Sequence, residues 1–177
     1  MTTPPPGLLP GTRITADRLN GALLIGRLVF FASRDAAQTI TTSGTAAGAS
    51  GNALSWDNLI VDLLGGYSPS TPTYFTPPIA GWYQLTGETS FEGSVTGTWR
   101  GASWLFNGTL PIGGTAKPVA AATANTTVTV GARSVPVLFD GVSDHIEFAP
   151  FHNATGSLAT ATGSARPHVA IYYAGPA

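Results

Sequence analysis

The chain has 177 residues, which suits one compact domain with a short tail; such a domain buries roughly 70% of the surface its unfolded chain exposes. Charged residues make up 10% of it, hydrophobic residues 43%, and the net charge is −1, whereas an ordinary soluble domain is about 25% charged. That balance, with seven scattered arginines and Lys117 as its one lysine, offers no footprint for nucleic acid. The lack of cysteine rules out disulfides and thiolate metal sites, and no apolar run reaches the ~18 residues of a membrane span.

Residues 1–25 read as an arm. Thr2-Thr3-Pro4-Pro5-Pro6-Gly7 cannot be helix and is expected to be extended. The start has neither the cationic nor the apolar region of a signal peptide. In Pro10-Gly11-Thr12-Arg13-Ile14-Thr15-Ala16-Asp17-Arg18-Leu19-Asn20, Thr15 suits an N-cap, Ala16 to Leu19 one helical turn, and Asn20-Gly21 its stop. A turn that short becomes ordered only by docking on something. Ile14 and Leu19, the only sizeable apolar groups there, are the expected docking contacts.

From residue 26 to 177 the sequence predicts an all-β head. Arg27 to Ala32 is a strand apolar on both faces, followed by a Thr/Ala/Gly/Ser segment, Thr39 to Gly51, expected as an exposed hairpin or loop. Ala53 to Leu64 returns to strand-like residues around Trp56. In Trp82 to Phe91, Tyr83, Leu85 and Phe91 should face a core, while Gln84, Thr86, Glu88 and Ser90 face away. Trp99 to Phe106 ends in Asn107-Gly108, a tight hairpin turn. Val128 and Val130 share a face. Val135, Val137 and Phe139 do likewise and stop at the Asp140-Gly141 turn pair; Ile146 and Phe148 follow. Val169, Ile171 and Tyr173 share the inner face of the last run. No long window has a 3.6-residue period, so eight to ten strands in two antiparallel sheets are expected.

The segment from Trp56 to Phe91 resembles the central signature of the C1q/tumour-necrosis-factor-like jelly roll. The matching positions are Tyr67, Ser70-Thr71, Phe75, Pro77-Pro78, Gly81 and Tyr83, with Leu85 where the family usually has Phe. Leu105-Phe106-Asn107-Gly108 resembles the family's Leu-x-x-Asn-Gly hairpin. Val137 to Phe148 resembles its Leu-x-x-Gly-Asp-x-Val segment with the Gly-Asp pair broken, and Val169 to Ala174 resembles a closing strand. Over roughly residues 27–175 the resemblance implies a ten-stranded jelly-roll sandwich that forms a homotrimer, binds on its outer face and carries no catalytic machinery. Pro10 to Asn20 resembles the opening of many bacteriophage virion proteins, especially minor tail proteins of phages infecting actinobacteria.

Chemistry-bearing patterns are sparse. His145, His152 and His168 lack the spacing of a helical zinc site and have no acidic residue at a fixed offset, so a surface or satisfied-core role is preferred to metal binding. Ser143, Asp144 and His145 are adjacent and alternate faces if extended, which cannot align a Ser-His-Asp triad. Glu88 and Glu92 would lie about 13 Å apart along a strand, beyond a glycosidase pair. Gly113-Gly114-Thr115-Ala116-Lys117 lacks the phosphate-loop spacing and reads as a loop. Of the four tryptophans (Trp56, Trp82, Trp99 and Trp104), Trp82 and Trp99 fall opposite the inferred core face and are the candidate surface-binding residues; core or subunit-interface packing is the competing role.

The function expected from these readings is a non-enzymatic structural virion protein of a tailed phage. It is a minor tail or fibre component or a capsid decoration on the particle exterior, needs no cofactor or metal, and displays a trimeric head. Its expected partners are itself, other virion proteins through residues 1–25, and a host-surface glycan or protein. The alternatives are a pure cement protein or a cellular C1q-like binding protein.

Overall fold

A computed structural model describes residues 23–42, 50–109, 119–120 and 126–177. The expected docking contacts Ile14 and Leu19, most of the Thr/Ala/Gly/Ser segment and the Gly113 to Lys117 loop lie outside them.

The described chain is all-β, and its named strands pair antiparallel. In chain order the strands are β1 (Leu28–Ser33), β2 (Thr39–Ile40), β3 (Asn58–Asp62), β4 (Gly81–Phe91), β5 (Trp99–Phe106), β6 (Val119–Ala120), β7 (Val128–Gly131), β8 (Val135–Phe139), β9 (Ile146–His152), β10 (Leu158–Ala159) and β11 (His168–Gly175). The large sheet runs β3-β1-β11-β4-β7, with β8 also paired to β4. The 11 residues of β4 are long enough for Gly81–Leu85 to pair with β8 and Glu88–Phe91 with β7 along the same edge. A smaller sheet runs β6-β5-β9, and β2 pairs with β10.

The expected inner faces hold. Tyr83, Leu85 and Phe91 from β4, Val169, Ile171 and Tyr173 from β11, and Phe139, Ile146 and Phe148 are buried in one core with Phe30, Phe75 and Trp104. Phe30 stacks on Phe75 with ring centroids 4.5 Å apart, and Trp104 meets Phe148 edge-on at 5.0 Å. The Tyr83 hydroxyl reaches the Ile79 carbonyl at 2.8 Å, which gives a core tyrosine the partner its burial requires.

Both turns form where expected. Asn107 and Gly108 have φ of 49° and 76°, the left-handed pair of a two-residue hairpin. The Asp140 carboxylate accepts from the backbone N–H groups of Val142, Ser143 and Asp144. These bonds, led by that from Asp144, hold its pKa well below the ordinary carboxylate value.

Three details differ from expectation. Ser90 lies on the outward side of β4 by alternation yet is only 3% exposed, because its Oγ pairs with Thr129 Oγ1 on β7 at 2.7 Å. Within Ala53 to Leu64 only Asn58–Asp62 is strand. Ala53, Leu54 and Trp56 are instead buried ahead of it, with Leu54 N–H bonded to the Phe148 carbonyl. Thr39 and Ile40, expected in an exposed hairpin or loop, form the short strand β2, and Ile40 is fully buried.

Candidate functional site

The outward face of the large sheet follows from the same alternation that builds the core. With Val169, Ile171 and Tyr173 inward, His168, Ala170 and Tyr172 point away; with Tyr83 and Leu85 inward, so do Trp82, Gln84, Thr86 and Glu88. Register places Trp82 opposite Leu138, Tyr172 opposite both Gln84 and Leu28, and Ala170 between Thr86 and Phe31. The face therefore carries a band of large apolar groups. Trp82 is 42% exposed, Leu138 43% and Tyr172 37%. A soluble monomer scatters such groups singly; a contiguous set marks an interaction surface.

Beside the band lies an open depression of about 460 Å³, lined by Leu28, Phe31, Thr86, Glu88, His168 and Tyr172 among others. Glu88 and His168 lie side by side in its wall, with His168 Nδ1 3.8 Å from Glu88 Oε1. Phe31 meets the His168 ring edge-on, with centroids 6.1 Å apart. Both partners are exposed, so the contact contributes little to stability.

The two candidate tryptophans are not brought together. Trp82 stands on the large sheet; Trp99 stands on the small one, half-buried, and packs edge-on against Phe151 at 5.3 Å. Trp56 and Trp104 belong to the core, as the competing role had it. Leu138 pairs with Trp82, and Tyr172 lies further along the same face beside Gln84; neither was among the residues singled out from the sequence. Their signal was available: β8 and β11 have apolar residues at outward as well as inward positions.

The histidines are dispersed. His145 stacks on Tyr74 with centroids 4.1 Å apart. His152 is fully buried, its Nε2 2.9 Å from the Ile40 carbonyl and its Nδ1 accepting from Ala154 N–H at 3.1 Å. Those two bonds fix the tautomer with the proton on Nε2. Burial first, and the neighbouring Arg100 charge as well, lower its pKa against the raising effect of the Ile40 bond. Among the described residues no three His, Asp or Glu side chains converge as a metal site. Ser143 Oγ donates to Asp140 Oδ2, while Asp144 accepts from Asn107 Nδ2 and Asp140 N–H. The Ser143, Asp144 and His145 side chains are thus committed in three directions.

No protein-family model matches the chain, and no curated protein matches it.

Proposed function

We propose that the chain is a non-catalytic display protein of a tailed-phage particle: a C1q-like jelly-roll head that forms a homotrimer through the outward face of its large sheet. The arm, residues 1–25, joins it to other virion proteins. The observation that carries the reading is the exposed band of Trp82, Leu138 and Tyr172 on a chain that is only 10% charged. Residues of this kind, desolvated at the centre of a symmetric contact, are where binding energy concentrates.

The strand order supports the jelly-roll part. The first long strand, β1, lies beside the last, β11, and the chain passes from β4 in one sheet to β5 in the other rather than pairing them. On this reading Trp82 serves self-association, and Trp99, on the smaller sheet, stays available to an outside ligand such as a host-surface glycan. Three identical heads would then add weak contacts by avidity.

The particle assignment is tested by mass spectrometry and antibody labelling of purified phage particles whose genome carries this gene. Labelled protein on the particle exterior is expected. Its absence from particles that otherwise assemble would overturn the viral reading and leave the cellular binding protein.

A further inference from the structure

The depression on the outer face of the large sheet sets a carboxylate and an imidazole into the surface that self-association would cover. Glu88 and His168 are partners in the register of β4 and β11, and their side chains are 50% and 40% exposed. The rest of the wall brings no charge: β1 gives Leu28 and Phe31, β4 Thr86, the end of β7 Gly131, and Tyr172 on β11 adds a phenol. Charges flanking these strands are held elsewhere. Past β1, Arg34 pairs with Asp57 at 3.2 Å, and ahead of β11, Arg166 pairs with Asp35 at 3.4 Å. Arg27, before Leu28, lines a different groove, and Arg133, in the turn after β7, is exposed and outside the wall.

We infer that the Glu88–His168 couple makes self-association through this face proton-dependent, so that heads join more tightly in mild acid than in mild alkali. The inference rests on the self-association reading of the face, and it holds for a viral or a cellular protein alike. Covering the depression takes the Glu88 carboxylate out of water. Beside a neutral imidazole, the carboxylate enters the contact as an uncompensated charge, which is costly. With an imidazolium 3.8 Å away it enters as a neutral pair, and their attraction strengthens as water is expelled. Imidazole is the side chain that changes charge between pH 5 and 8. The joined state therefore binds the extra proton. Its advantage is full in acid and is lost as the pH rises through the histidine range. In a closed ring every head contributes one couple, so the dependence multiplies with the number of heads.

The test is the dissociation of the full chain at pH 6 and pH 8, read by sedimentation of a dilution series, with circular dichroism confirming that the fold is intact at both. Wild-type association should be at least about tenfold tighter at pH 6. His168→Gln should keep the weaker, pH 8 affinity at both values. Glu88→Gln removes the charge that needs compensation, so at pH 8 it should associate at least about tenfold more tightly than the wild type. His145→Gln, stacked on Tyr74 away from this face, should leave the wild-type response in place. Equal wild-type affinity at the two pH values, or a response that survives His168→Gln, would overturn the inference and leave the self-association reading standing. Chains that stay monomeric at both values in every variant would contradict that reading, and the inference with it.

Discussion

The two long sheets bury their residues by different rules. In the large sheet, β11 and β4 as far as Glu88 alternate, with Tyr83 and Leu85 or Ile171 and Tyr173 inside and Trp82 or Tyr172 outside. In the small sheet every residue of β9 is buried, as is every residue of β5 except Trp99 and Phe106 at its ends. Burying both faces forces polar groups inside. Arg100, Ser103, Glu147 and His152 are all buried there, with no ion pair between them among the described residues. Arg100 is held by the carbonyls of Trp99 and Thr96 at 3.0 and 2.8 Å. Glu147 Oε1 accepts from Thr73 Oγ1 at 2.9 Å, while Oε2 has no partner. One sheet is an amphipathic plate with a usable outer face; the other is an interior layer whose polar groups are satisfied locally, or nearly so.

The largest effect that could break this contrast is in the core under the large sheet. Leu85→Ala should cost about 2–5 kcal/mol as a large-to-small core change, whereas Thr86→Ala, one residue on and exposed, should stay within about 0.5 kcal/mol. Equal losses in denaturant titrations of the two variants would show that the alternation is misplaced.

Next come the buried titratable groups of β9, which should give the small sheet its own pH window. His152 is neutral in the fold with a lowered pKa, so the unfolded chain binds more protons. Stability should be complete above the unfolded histidine value of about 6.5 and fall as the pH drops below it. Burial raises the Glu147 pKa against the opposing effects of Thr73 and His145. The folded state there binds the extra proton, so stability should decline as the pH rises from the unfolded glutamate value, about 4.3, through the raised folded one. The two contributions oppose each other where their windows overlap, so in melting curves from pH 4 to 8 His152→Gln should flatten the net rise of stability toward pH 6.5 and Glu147→Gln should steepen it. Slopes untouched by these changes would place the titrating groups elsewhere.

Smaller effects on folding are expected on the outer plate. Trp82→Ser with Tyr172→Ser should leave the melting of the isolated head within about 1 kcal/mol, the usual range for exposed sites, while weakening self-association at least tenfold.

The legibility of the chain follows the same division. Alternation in β4, β8 and β11 and the turns at Asn107-Gly108 and Asp140-Gly141 were readable because period 2 and left-handed turn residues are local signals. Ser90 was misread because its cover comes from Thr129, 39 positions away. Glu147 and His152 could not be told from surface groups in the sequence, since the groups that meet them, the Thr73 hydroxyl and the Ile40 carbonyl, stand 74 and 112 positions away. The outer band was half legible: Trp82 was singled out, but Leu138 and Tyr172 join it only through a register set by β4, β8 and β11 together.

The central claim is that the exposed band of the large sheet is a self-association face, and the solution mass tests it most directly. Light scattering coupled to gel filtration of the full chain at micromolar concentration should return about three times the 18.1 kDa chain mass, and the Trp82→Ser, Tyr172→Ser variant should return a smaller species. A wild-type protein that elutes as a monomer would contradict the account.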